Sequence, residues 1–222
     1  YLELINGELP KDKANVFDGI DTSWNRVKGG KPIGELLSKI ASEFDFNNPS
    51  SSIPDLVKAY SMIQALDENH WKLIKSEEIK NVIAACAGLY MEAVAQNQEA
   101  TPGSLMKLKL EAINRSPIEM QLVDVTTLPN QTGIRQNTAL KNNVLQNINF
   151  DFQLPSTIEY TQPYWLKEKG TDGMYTVTDQ KNIGIPDVIR NVIVVFIIKI
   201  NEIEIPFERA VVYKYNDDVK GE

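Results

Sequence analysis

Hydrophobic positions along the chain follow a helical period up to about residue 100 and an alternating one beyond it. Ile33, Leu36, Leu37, Ile40 and Phe44 recur at three- and four-residue spacing, which lines one helix face. Pro32 fits the first turn of that helix, where its missing N–H costs nothing. Asn47-Asn48-Pro49-Ser50 interrupts the pattern. A second helix is predicted after Ser52, with Pro54 and Asp55 in its first turn and Ile53, Leu56, Val57, Tyr60, Ile63 and Leu66 as its stripe. A third is predicted from about His70 to Ala95 through Trp71, Ile74, Val82, Ile83, Cys86, Leu89, Tyr90 and Val94. Short connections between three amphipathic helices predict a compact antiparallel bundle.

After Thr101-Pro102-Gly103, Met106, Leu108, Leu110 and Ala112 alternate with Lys107, Lys109 and Glu111, as in a half-buried strand. Asn114-Arg115-Ser116-Pro117 reads as a turn, and Ile118, Met120 and Leu122 resume the alternation. Val144, Ile148, Phe150 and Phe152 share a face opposite Asn147, Asn149 and Asp151. Val192, Val194, Phe196, Ile198 and Ile200 form the strongest strand pattern, and Asn201-Glu202 closes a hairpin onto Ile203, Ile205 and Phe207. Neither turn residue is glycine, which leaves the turn type open. Val211, Tyr213 and Tyr215 complete a set of about seven strands, the number of an immunoglobulin-like sandwich.

The stretch from Leu154 to Asp187 carries Pro155, Pro163, Gly170, Gly173, Gly184 and Pro186, and is too aromatic for a linker. The expected fold is α+β in two segregated parts. A small helical bundle occupies residues 1–98, and an immunoglobulin-like antiparallel β-sandwich occupies 99–222 with an ordered excursion at about 154–187.

Composition narrows the chemistry. A chain of 222 residues buries a sizeable core without staples. Its 30 acidic side chains against 23 basic ones, net charge -7, exclude nucleic acid as the main partner. One histidine, His70, and one cysteine, Cys86, exclude an ordinary zinc site and any intrachain disulfide. A nucleophile–histidine triad would have to use His70, whose acidic neighbours Asp67 and Glu68 are better explained by a helix start. No apolar run is long enough to span a membrane. The chain opens on Tyr1 rather than Met and reads as a piece of something longer.

No catalytic and no metal-binding residue stands out. Gly29-Gly30-Lys31-Pro32-Ile33-Gly34 precedes a helix and would present N–H groups to an anion, but matches no phosphate-loop pattern. Cys86 lies mid-helix among small residues, where a cysteine serves as core. Tyr160, Tyr164 and Trp165 cluster in the excursion as candidate glycan contacts, the bland alternative being that Trp165 plugs one end of the sandwich. Trp24 and Arg26, in a segment rich in helix-capping residues, are candidates for docking a neighbouring domain. Asn114-Arg115-Ser116 and Asn130-Gln131-Thr132 match the N-glycosylation acceptor pattern.

Several stretches together resemble the region downstream of the catalytic domain in large bacterial PIG-L (LmbE-like) deacetylases. They are Gly19-Ile20-Asp21-Thr22-Ser23-Trp24-Asn25-Arg26-Val27, Ala84-Ala85-Cys86-Ala87-Gly88-Leu89, Glu111-Ala112-Ile113-Asn114-Arg115-Ser116 and Gln162-Pro163-Tyr164-Trp165-Leu166. The ending, Val212-Tyr213-Lys214-Tyr215 through Asp218-Val219-Lys220-Gly221-Glu222, is similar as well. That family removes N-acetyl groups from amino sugars with a zinc ion held by His-Pro-Asp-Asp and a later histidine. This chain has no His-Pro-Asp-Asp, so no catalytic or metal residue carries over and no cofactor is expected within it. The resemblance implies a non-catalytic accessory region behind a zinc-bearing deacetylase domain upstream in the same chain, periplasmic or secreted, that positions the enzyme or contacts glycan. Two other classes stand beside it: an independent hydrolase acting on carbohydrate through a carboxylate pair, and a purely structural or oligomerising module.

Overall fold

A computed structural model describes residues 6, 7, 11, 14, 17–67, 70–186, 188–216, 219 and 221. Of the residues singled out above, Tyr1, Glu68, Asp187, Asp218, Lys220 and Glu222 lie outside the described residues. The chain is α+β: helices come first, and two sheets made mostly of antiparallel pairs follow. Among the described residues no helix is long and apolar enough to cross a membrane.

Helix α1 spans Lys31–Ser42, α2 Ile53–Gln64 and α3 His70–Ala87. Pro32 and Pro54 sit in the first turns of α1 and α2. Ile53, Leu56, Val57, Tyr60 and Ile63 of α2 are buried, while Ile33 is the deep residue of α1 and Leu36, Leu37 and Ile40 pack at the core's edge. Along α3 the buried positions are Ile79, Lys80, Ile83, Ala84 and Ala87. Val82, expected on that stripe, faces solvent, because it lies two residues from both Lys80 and Ala84, on the opposite side of the helix from those buried positions.

Helix α3 ends at Ala87, eight residues short of the expected Ala95. Gly88 adopts a left-handed conformation (φ 55°). Its N–H donates to the Ala85 carbonyl (3.1 Å) and that of Leu89 to Ala84 (2.9 Å), which satisfies the last carbonyls and turns the chain away. Strand β1, Tyr90–Ala95, starts at once, burying Met91, Ala93 and Ala95. The change from helix to strand thus falls at Gly88.

The other strands are β2 Leu105–Ile113, β3 Met120–Leu128, β4 Thr132–Ala139, β5 Gln146–Gln153, β6 Ile193–Ile200, β7 Ile203–Ala210 and β8 Val212–Tyr213. One sheet has the order β5-β2-β1-β8 and the other β4-β3-β6-β7. All pairs are antiparallel except β8 on β1. Leu108, Leu110 and Phe150 of the first sheet share a core with Val125, Phe196, Ile198 and Ile205 of the second, a sandwich-like arrangement. Strand β7 runs on through Val211 into β8 and so passes from one sheet to the other; Arg209 Nε donates to the Met91 carbonyl (3.2 Å) at the crossing.

Strand β3 breaks its alternation at Val123, where the register with both neighbours shifts, so Leu122 and Val123 are both buried. Strand β4 has no buried residue, and its mainly polar sequence carries no strand signal. Val144, expected on the face of β5, lies before the strand and is exposed. Asn201 (φ 47°) and Glu202 (φ 65°) form a two-residue turn with both residues left-handed, the twist that matches paired strands.

Candidate binding surface

Strand register places the helical part and the excursion at opposite ends of the first sheet. Tyr90 opens β1 just after α3 and lies opposite Ile113, the last residue of β2. The excursion leaves from Gln153, which lies opposite Leu105, the first residue of β2. An eight-residue strand at about 3.3 Å per residue separates the two ends by roughly 25 Å.

The excursion is tied together by its own polar groups and by Asn191, just before β6. Lys167 Nζ pairs with Glu159 (2.6 Å), Asn191 Nδ2 donates to the Glu159 carbonyl (2.7 Å), and the Gly184 N–H donates to the Tyr164 hydroxyl (3.1 Å). Thr171 and Met174 exchange backbone hydrogen bonds (2.9 and 3.2 Å) around Asp172-Gly173, with Gly173 at φ 80°. Thr176 Oγ1 donates to the Lys169 carbonyl (3.0 Å) and closes this small hairpin. Beside it lies an open cleft of about 370 Å³ bounded by Trp165, Leu166, Glu168, Thr171, Met174 and Tyr175.

Of the three aromatics named from the sequence, Tyr160 is 70% exposed. Tyr164 and Trp165 are half-buried in a short 3-10 turn, Tyr164–Leu166, with rings edge to face at 5.0 Å. Trp165 therefore packs on Tyr164 and walls the cleft. Tyr175 (66% exposed) and Met174 complete the apolar rim. Neither belongs to the aromatic cluster named from the sequence; the Asp172-Gly173 turn beside them is the signal that Met174 and Tyr175 are held out on a hairpin. An aromatic rim with carboxylate Glu168 nearby can stack a sugar ring or an apolar side chain.

Trp24 and Arg26 lie in a 3-10 turn capped by Ser23, whose hydroxyl accepts from the Asn25 N–H (3.2 Å). The Arg26 guanidinium lies 4.6 Å from the centre of the Trp71 ring, on α3, and Trp24 packs against Gly34 of α1. Both residues thus lock the entry segment onto the helices, while Arg26 keeps an exposed edge. The Gly29–Gly34 segment has the same purpose. A Cβ at Gly30 would meet the Trp24 carbonyl at 2.4 Å, so close approach of backbone requires glycine there.

His70 is exposed at the start of α3, against the edge of Trp71. Cys86 is half-buried at the core's rim, and burial pushes its thiol pKa up, the opposite of the shift that activates a thiol. Among the described residues no group of three or more His, Cys, Asp or Glu side chains is placed to hold a metal ion. Asn114 is 1% exposed and spends its side chain on the fold: Nδ2 donates to the Ile118 and Leu140 carbonyls (2.8 and 3.2 Å), and Oδ1 accepts from Ser116. Its amide is therefore closed to glycan transfer in the folded chain. Asn130 Nδ2 is likewise engaged by the Gln153 carbonyl (2.7 Å).

Glu92 and Glu111 face each other as a carboxylate pair across β1 and β2. Each is matched by a lysine: Lys214 Nζ lies 2.9 Å from Glu92, and Lys109 Nζ 2.7 Å from Glu111. Burial raises the Glu92 carboxyl, but hydrogen bonds from Tyr90 and Lys214 outweigh it and hold the group below its ordinary range. A general acid needs the opposite shift. The pair is an ionic clasp, with Arg115 over the Tyr90 ring beside it.

No family model and no curated protein matches the chain. Among solved structures it is similar to Spo0M, a sporulation control protein from Bacillus subtilis, at 10% identity over 57% of this chain and 49% of that one, TM-score 0.32. It is also similar to AlkC, an alkylpurine DNA glycosylase from Pseudomonas fluorescens bound to DNA with an abasic site analog, at 10% identity over 79% and 50%, TM-score 0.28. The chain spans about half the length of these two structures. Likeness at this level adds nothing to the strand order given above.

Proposed function

We propose that the chain is a non-catalytic accessory region that holds an aromatic contact surface, for glycan, at a fixed distance from its helical part. The observation that carries the reading is the rim of Trp165, Leu166, Met174 and Tyr175 around the open cleft of the excursion, with Tyr160 exposed elsewhere on the same excursion. Large apolar side chains held outward by a hydrogen-bonded loop serve contact better than they serve packing. The finer fold expectation, an immunoglobulin-like sandwich behind a compact three-helix bundle, belongs to the same proposal. So does the parentage: the ordered sequence pieces resembling PIG-L deacetylases support an upstream zinc-dependent domain in the same chain and a periplasmic or secreted setting. The accessory region would then act by tethering, which raises the effective concentration of substrate without new chemistry.

The test is retention on immobilised N-acetylglucosamine polymer. Tyr175→Ala and Trp165→Ala are expected to abolish retention. Tyr175→Ala in particular is expected to leave thermal stability within about 0.5 kcal/mol of the parent, as for an exposed side chain. Retention unchanged in both variants would refute the glycan contact.

A further inference from the structure

Two sheets have four edges, and three of them are blunted. Strand β8 is two residues long. Strand β4 carries Asn137 at φ 46°, which kinks it. In the β6–β7 hairpin Ile200 and Ile203 flank the two-residue turn and form its hydrogen-bonded pair, so by alternation the nitrogen of Pro206 faces outward, where proline offers no N–H. Strand β5 has none of these devices: Gln146–Gln153 is eight regular residues without proline, lysine or left-handed backbone.

The direction of each backbone group on β5 follows from its pairing. Leu154 donates its N–H to the Ser104 carbonyl (2.9 Å), one step beyond the Leu105–Gln153 pair. Even-numbered residues therefore bond to β2, and odd-numbered ones point their N–H and C=O away from the sheet. The Gln153 carbonyl, taken by Asn130 Nδ2, lies on that outward side. Asn147, Asn149 and Asp151 are left as an outward row of backbone groups, paired with no other strand among the described residues.

We infer that β5 is a self-association edge, whose occupant is β5 of a second copy, antiparallel about a two-fold axis at Asn149. An axis normal to the sheet keeps each face on its own side, so opposed residues share parity, as β5 requires. Centred on Asn149, Asn147 lies opposite Asp151 of the second copy and Asn149 opposite itself. Amide meets carboxylate, no like charges meet, and the occupied Gln153 carbonyl falls outside the paired row. Centring on Asp151 would set two carboxylates face to face, and centring on Phe150 would direct Asn147 at Gln153. Phe150 and Phe152 are already buried, so the joint is made by backbone and polar side chains.

Sedimentation equilibrium on the whole chain, up to about 1 mM, tests it. The parent is expected to show a reversible monomer–dimer equilibrium. Asn149→Pro removes an outward donor without touching β2 and is expected to weaken association about tenfold or more. Asn147→Asp is expected to weaken it and Asn147→Lys to tighten it, each about threefold or more, with unchanged circular dichroism. A parent that stays monomeric throughout overturns the inference. So does an Asn149→Pro dimer of unchanged strength, or a pair of Asn147 variants that shift association in the same direction.

Discussion

Gly30 shows how much a single missing methyl group decides. The Trp24 carbonyl would lie 2.4 Å from a Cβ there, and backbone cannot yield as a flexible side chain can. Gly30→Ala is expected to cost about 2 kcal/mol in urea unfolding, by forcing the entry segment off α1. Glu92 makes a second residue-scale test. A carboxyl held below its ordinary range stabilises the fold above its unfolded-state pKa, and the contribution is lost as pH falls through the folded value. Glu92→Gln is therefore expected to be about 1 kcal/mol less stable than the parent at neutral pH, as for a half-buried charged hydrogen-bonding group. The gap should close as pH drops below the carboxylate range, which unfolding curves across pH would display.

At the scale of elements, legibility tracked the strength of the periodicity. Strands β2, β6 and β7 are readable because alternate residues are buried on one face: Leu108, Leu110 and Ala112 in β2, Val194, Phe196, Ile198 and Ile200 in β6, and Ile205 and Phe207 in β7. Strand β1 reads as a continuation of α3 in the sequence because Leu89, Tyr90 and Val94 extend an apolar run past a single glycine. The cue was available: Gly88 followed by Leu89, Met91, Ala93 and Ala95 at period two. Strand β4 was not readable, since Arg135, Gln136 and Asn137 sit at an edge that buries nothing. The β6–β7 turn is built from residues that resist it, as Glu202 is held at φ 65°. Glu202→Gly would remove that strain at the cost of the exposed Lys199–Glu202 pair, and is expected to gain about 0.5–1 kcal/mol in thermal or urea unfolding.

For the whole molecule, the length of the first sheet separates two ends of different character. The helices, locked by Trp24 and by Arg26 on Trp71, stand at one end of the first sheet, and the aromatic cleft stands at the other. The cleft's location in the excursion was legible from its tyrosines and tryptophan, but its rim was not, because Met174 and Tyr175 reach it through a hairpin of only a few residues. The most direct measurement is retention on immobilised N-acetylglucosamine polymer, read beside melting temperature, for the parent, Tyr175→Ala and Trp165→Ala. A contact surface requires that the parent be retained, both variants be lost to the flow-through, and Tyr175→Ala melt with the parent. Retention that survives both substitutions while melting temperature falls would make these aromatics packing residues and contradict the account, as would a parent that never binds.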